Sequence, residues 1–90
     1  MKPMIGMIVL LKLNEDMAYK INWSRVASSP VHDCIGTDVS AGMEFPMIVT
    51  RIPSEELING QVILDGNDVF WATFITEGNE IGQWHWPKED

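Results

Sequence analysis

Trp84-His85-Trp86 is the densest group of chemistry-bearing side chains in the sequence. In an extended strand the two indoles point to one face and the imidazole to the other. Trp71 falls on the preceding apolar run, so three indoles are expected near one another. Large aromatics dominate small cores, and plugging the core is one use for such a group. The other is a stacking platform for a base, a sugar or a peptide side chain. His85 could do acid–base work only with a positioned partner and a pocket. Glu77 and Glu80 are the carboxylates nearest to it in the sequence.

Three other groups are of types that could carry chemistry. His32-Asp33-Cys34 puts three potential metal ligands in a row, but adjacent side chains of an extended segment diverge and zinc needs ligands that converge. Cys34 then reads as a small buried hydrophobe. Asp65-Gly66-Asn67-Asp68 has the look of a calcium loop without the bidentate glutamate at the required spacing, and strands rather than helices flank it. It reads as hairpin chemistry, with Gly66 and Asn67 tolerating positive φ. Arg51 and Arg25 are the cations that could neutralise a phosphate. No glycine-rich phosphate cradle, nucleophile elbow or spaced Cys–His pair is present, and no cofactor or metal is expected.

The elements that must position these residues are short. Met4–Leu13 is apolar on both faces and predicts a central strand. Asn14 is a good N-cap, and Glu15 and Asp16 suit the positive end of a helix dipole. Met17, Ala18, Ile21 and Arg25 or Val26 follow at helical spacing, so a helix is expected over Asn14–Ala27, with Tyr19, Lys20 and Asn22 facing out. Ser28-Ser29-Pro30 stops it, and Val31–Ser40 reads as irregular. Met43–Ile52 is expected as a strand with Met43, Phe45, Met47 and Val49 on one face. Pro46 should sit at an edge or a bulge, Pro53 should end the strand, and Ser54-Glu55-Glu56 should be a loop. Asn59-Gly60 fits a tight turn or a bulge. Gln61–Leu64 and Val69–Thr76 predict a hairpin, and Ile81–Trp86 the last strand. The expectation is one mainly β (α+β) domain over residues 1–90: a small antiparallel SH3-like barrel or curled sheet of four to five strands with one short N-terminal helix.

Charge narrows the partners. The net charge is −7. Residues 1–52 balance, whereas residues 53–90 hold eight acids and one base. An acidic half repels a phosphate backbone, which disfavours duplex nucleic acid. Acids at loop tips are ordinarily there for solubility, and the sharper alternative is a surface that attracts basic proteins or imitates DNA. One cysteine makes no internal disulfide. The eight-residue run Met4–Leu11 is too short to span a bilayer, so a cytoplasmic protein with no membrane contact is expected. At 90 residues the chain buries only about 60–65% of its unfolded surface. Pairing of an open sheet edge into a homo-oligomer is therefore a further expectation.

Several segments together resemble a group of small proteins of bacteriophages and prophages. They are Val39-Ser40-Ala41-Gly42, Phe45 to Ile52, Asn59 to Asp68, Phe70-Trp71-Ala72-Thr73 and Gly82-Gln83-Trp84-His85-Trp86-Pro87. The shared pattern, roughly V-F-L-D-G-N-D, then W-x-T, then G-x-W-H-W-P, covers about the C-terminal half, and the Asn14–Ile21 helix is similar too. Thr73-Phe74 departs from the group's Thr-Ser. The resemblance implies a phage context and a small β-rich fold, and it supplies no catalytic residue. The leading expectation is a non-enzymatic counter-defence module that sequesters a host factor or a nucleotide-like signal. Its site would comprise Trp71, Trp84, Trp86, His85 and Arg51. The alternative is a protein–protein adaptor or virion accessory protein that uses an acidic, aromatic C-terminal face. A small hydrolase using His85 with Glu77 or Glu80 ranks last.

Overall fold

A computed structural model describes residues 2–28 and 38–88. The element order is β1 (Ile8–Lys12), α1 (Glu15–Ser28), β2 (Glu44–Ser54), β3 (Leu57–Ile63), β4 (Val69–Ile75) and β5 (Trp84–His85). The strands form one antiparallel sheet in the order β4-β3-β2-β1-β5. Among the described residues the chain thus adopts the mainly β fold with one helix, and the sheet curls. Residues just past β4 meet β5 at the opposite end: Glu77 bridges Trp84 in parallel, with Trp84 N–H donating to Thr76 O at 3.0 Å and Gly78 N–H to Trp84 O at 2.8 Å.

Helix α1 starts as its sequence dictates. Asn14 Oδ1 accepts from the Met17 N–H at 2.8 Å, and Asn14 O from Ala18 N–H at 3.1 Å. Met17, Ala18, Ile21 and Arg25 turn inward, while Val26 faces solvent. Asn22 is not an outward residue. It is half-buried and clamps Val39 from both sides, Nδ2 donating to Val39 O at 2.8 Å and Oδ1 accepting from Val39 N–H at 2.9 Å. Val39 thereby joins the core of Val9, Leu11, Leu13, Ile21, Met47, Val49, Ile58, Val62 and Trp84.

The first strand is shorter than its apolar run. Gly6, at φ +94°, and the Met7 N–H···O Met4 bond of 3.0 Å turn the chain before Ile8. β1 does have a neighbour on each side, but it is buried on one face alone: Val9 and Leu11 point inward, and Ile8 is exposed. Pro46 corrects another expectation, since it lies in the middle strand of the sheet, opposite Leu10. Val49 N–H donates to Met7 O, so alternation turns the Pro46 nitrogen toward β3. That side is past Met47↔Val62, the last β2–β3 pair, and no ladder bond is lost. Pro53 does not end the strand, because Ser54 still pairs with Leu57 and Glu55-Glu56 makes a tight turn.

Asn59-Gly60 is a bulge site rather than a turn. The register slips beside it on both flanks, between Val49 and Arg51 of β2 and between the Ile75 and Ala72 pairings of β4. The extra β4 residue includes Phe74, whose φ is +56°. Its N–H, displaced from the ladder, donates instead to the buried Asn59 Oδ1 at 2.8 Å. The bulge breaks the expected alternation, so that Ala72 and Ile75 both point inward while Val69, Trp71 and Phe74 point out. His32, Asp33 and Cys34 lie outside the described residues. No described helix is long and apolar enough to cross a membrane.

Candidate binding site

Three chain reversals build a cavity of about 390 Å³ at one end of the sheet. The β2–β3 turn brings Glu55 and Glu56. The N-terminal stretch, reversed at Gly6, brings Lys2 and Pro3. The bridge to β5 fixes Thr76 and Glu77 beside Trp84, and Ile58 comes from β3. The lining therefore sets three carboxylates and one ammonium around an apolar wall of Pro3, Ile58 and Trp84. Such a rim attracts a cation, and the attraction weakens with salt because these charged groups are exposed.

Trp84 contributes more than surface to this wall. It is 2% exposed, and its indole Nε1 has no hydrogen-bond partner among the described residues. An indole N–H can only donate, and a buried donor left unpaired costs about 1–3 kcal/mol.

The residues singled out from the sequence do not form a common surface. Trp84 is buried in the core, and half-buried Trp86 packs on it edge to face, with centroids 5.3 Å apart and rings at 88°. Trp71 is 61% exposed on the outside of β4. The inward face of β5 and the outward face of β4 separate these indoles, so the platform of three is not assembled. Arg51 is exposed on β2, opposite Asn59, with no ion pair among the described residues.

His85 pairs with a carboxylate that the sequence did not suggest. Its Nε2 is 3.2 Å from Glu44 Oε1, and its Nδ1 is 3.0 Å from the Trp86 carbonyl oxygen. Glu44 comes from β2, across β1, and its other oxygen is 3.8 Å from Lys12 Nζ. Lys12 Nζ also donates to Asn79 O at 2.9 Å. Both imidazole nitrogens thus face acceptors in a network that ties β5 to β1 and β2.

Arg25 is likewise engaged. Its Nε donates to Asp68 Oδ2 at 2.9 Å and its Nη2 to Asp68 Oδ1 at 3.0 Å. This bond holds the Asp68 carboxyl below its ordinary range and raises the guanidinium further, against the opposing effect of burial. Asp68 is accordingly hairpin structure, and no group of three His, Cys, Asp or Glu gathers for a metal among the described residues.

Sequence reasoning missed Lys2, Glu55, Glu56 and Ile58 as lining residues, and Trp23 as an exposed indole. The two glutamates were legible as a loop and as part of the acidic half, but nothing local to them signals a cavity. Compared with family models, curated proteins and solved structures, the chain matches none of them.

Proposed function

We propose that this protein is a non-enzymatic binding domain whose ligand is a basic segment of a protein partner. The observation that carries the reading is the cavity, where Glu55, Glu56 and Glu77 surround the apolar wall of Ile58 and Trp84. An apolar floor with a few charged groups at its mouth is the usual anatomy of a binding pocket. The sign of the rim favours the adaptor over a module for a nucleotide-like signal. Arg25 is committed to Asp68, and only Lys2 among the lining residues is cationic. In the phage setting that the sequence resemblance implies, the partner is a host or virion protein.

Calorimetry with oligolysine, oligoarginine, oligoglutamate and a nucleotide panel tests this reading. Heat is expected with the cationic peptides, falling as salt rises. The combined variant E55Q, E56Q and E77Q should weaken binding more than the same charge loss at Glu15, Asp16 and Glu80. Equal weakening by both sets would reduce the effect to net charge and sink the cavity as the site. Heat with nucleotides alone would restore the first alternative.

A further inference from the structure

Resting on that reading, we infer that the basic segment docks as an added strand on the free edge of β4. β4 ends the sheet, with β3 on one side and no strand on the other among the described residues. Alternate residues of such a strand turn an N–H and a C=O away from the sheet. Edges are ordinarily blunted by lysines, other charges, prolines or bulges. The stretch Val69–Thr73 holds no charge, proline or glycine, and the bulge comes only after it, at Phe74. Val69 and Trp71 stand 59% and 61% exposed on its outer face. Main-chain pairing along such an edge binds an extended peptide, and side chains at alternate positions select it.

Area and charge choose this occupant over a second copy. β4 has seven residues, a length of roughly 23 Å. A contact of that length and one strand deep falls well short of the ~800 Å² per partner of a stable dimer. Antiparallel pairing of two β4 edges would also bring Asp65 of one copy toward Glu77 of the other, like charge against like at both ends. A segment with alternating apolar residues at its centre and lysine or arginine at its ends meets neither obstacle. Its apolar side chains pack on Val69 and Trp71, and its cations lie toward Asp65 and Glu77. β4 leads into Thr76 and Glu77, which line the cavity, so one basic end of the added strand reaches it.

The probe is the acetylated, amidated peptide Lys-Lys-Val-Thr-Val-Thr-Val-Lys-Lys. Its first control is N-methylated at the five central residues, which keeps every side chain and charge but donates no hydrogen bond from that stretch. Its second control carries glutamate in place of lysine. Calorimetry gives the affinities, and amide exchange followed by NMR gives the place. The probe should slow exchange at alternate residues of Val69–Thr73. N-methylation should weaken it at least about tenfold, the loss of two net hydrogen bonds. Trp71→Thr, a change at an exposed side chain, should weaken it by up to about fivefold, the span of a cross-strand pair. Equal binding of the N-methylated control, or no slowing in β4, would overturn the inference and leave the basic-partner reading standing. Slowing of the β4 amides with protein concentration alone would make a second copy the occupant and overturn it too. Equal binding of the glutamate control, or no binding by any cationic peptide, would overturn both.

Discussion

Arg25 and Asp68, 43 residues apart, meet through two parallel N–H···O bonds of 2.9 and 3.0 Å. The pair ties the last turn of α1 to the loop before β4. The Arg25 side chain is 8% exposed and that of Asp68 26%, so the pair is shielded but still touches water. Asp68→Asn keeps the shape and removes the charge. It should destabilise the fold by about 1–3 kcal/mol, less than the ~3–5 of a fully buried pair. Urea unfolding measures it as a lowered midpoint with an unchanged slope.

The same pair sets a pH dependence. The Arg25 hydrogen bond lowers the Asp68 carboxyl from its ordinary value of 3.8. A carboxyl lowered by folding contributes stability that is fully present above the unfolded value. That stability is lost as pH falls through 3.8 toward the folded value. Arg25 stays charged throughout. Acid titration of the unfolding midpoint should therefore be flatter in Asp68→Asn than in the wild type below about pH 4. Parallel curves would show that the pair contributes nothing to acid sensitivity.

The bulge at Asn59 and Phe74 predicts opposite signs for neighbouring changes. Asn59→Ala strands the Phe74 N–H and should cost about 1–3 kcal/mol. Phe74→Gly relieves a left-handed backbone at a side chain that is 63% exposed, and it should stabilise by up to about 1 kcal/mol. Gly60→Ala should destabilise, because a Cβ there would lie 2.5 Å from Met47 Cγ and 2.6 Å from the Ile48 carbonyl oxygen. Thermal melts of the three variants check all three signs.

The indoles divide by environment. Trp23 and Trp71 are 63% and 61% exposed, while Trp84 is 2% exposed. Iodide should quench the first two and spare Trp84. Emission of the Trp23→Phe, Trp71→Phe, Trp86→Phe triple variant, which keeps Trp84 alone, should be blue-shifted and resist iodide. Strong quenching of that variant would place Trp84 outside the core.

Lys2 opposes a cation at the cavity mouth, so Lys2→Ala should tighten cationic peptides by up to about fivefold at low salt, with the gain fading as salt rises. Calorimetry at two ionic strengths reads both halves of this expectation. Weaker binding in Lys2→Ala would mean that Lys2 supports the site instead of opposing it.

Local signals carried most of the fold. Asn14 and the acids after it mark the helix start, and turn residues around Asp65–Asp68 mark the hairpin. Signals that depend on neighbours were misread. Gly6 ends the first apolar run early because the backbone there is left-handed, which composition does not encode. Alternation along Val69–Thr76 gives the wrong faces past Ala72 because Asn59, 15 residues back, holds a bulge open. The candidate site is the least legible part, since its lining comes from four separate stretches that only the curl of the sheet brings together. Of the candidate residues named in advance, Trp84 reaches it as a wall rather than a platform, and Glu77 reaches it without His85.

The pairing of β5 with β1 also governs when folding can finish during synthesis. Strands β2, β3 and β4 form a meander that can assemble as it leaves the ribosome, each hairpin closing on its neighbour. β1 emerges before all of them, yet one of its two hydrogen-bonding edges waits for Trp84 and His85. Through that interval the nascent protein presents an open strand edge and a core without its largest side chain. That is the state in which holdase chaperones bind and misassembly begins, and it ends only when the last strand arrives.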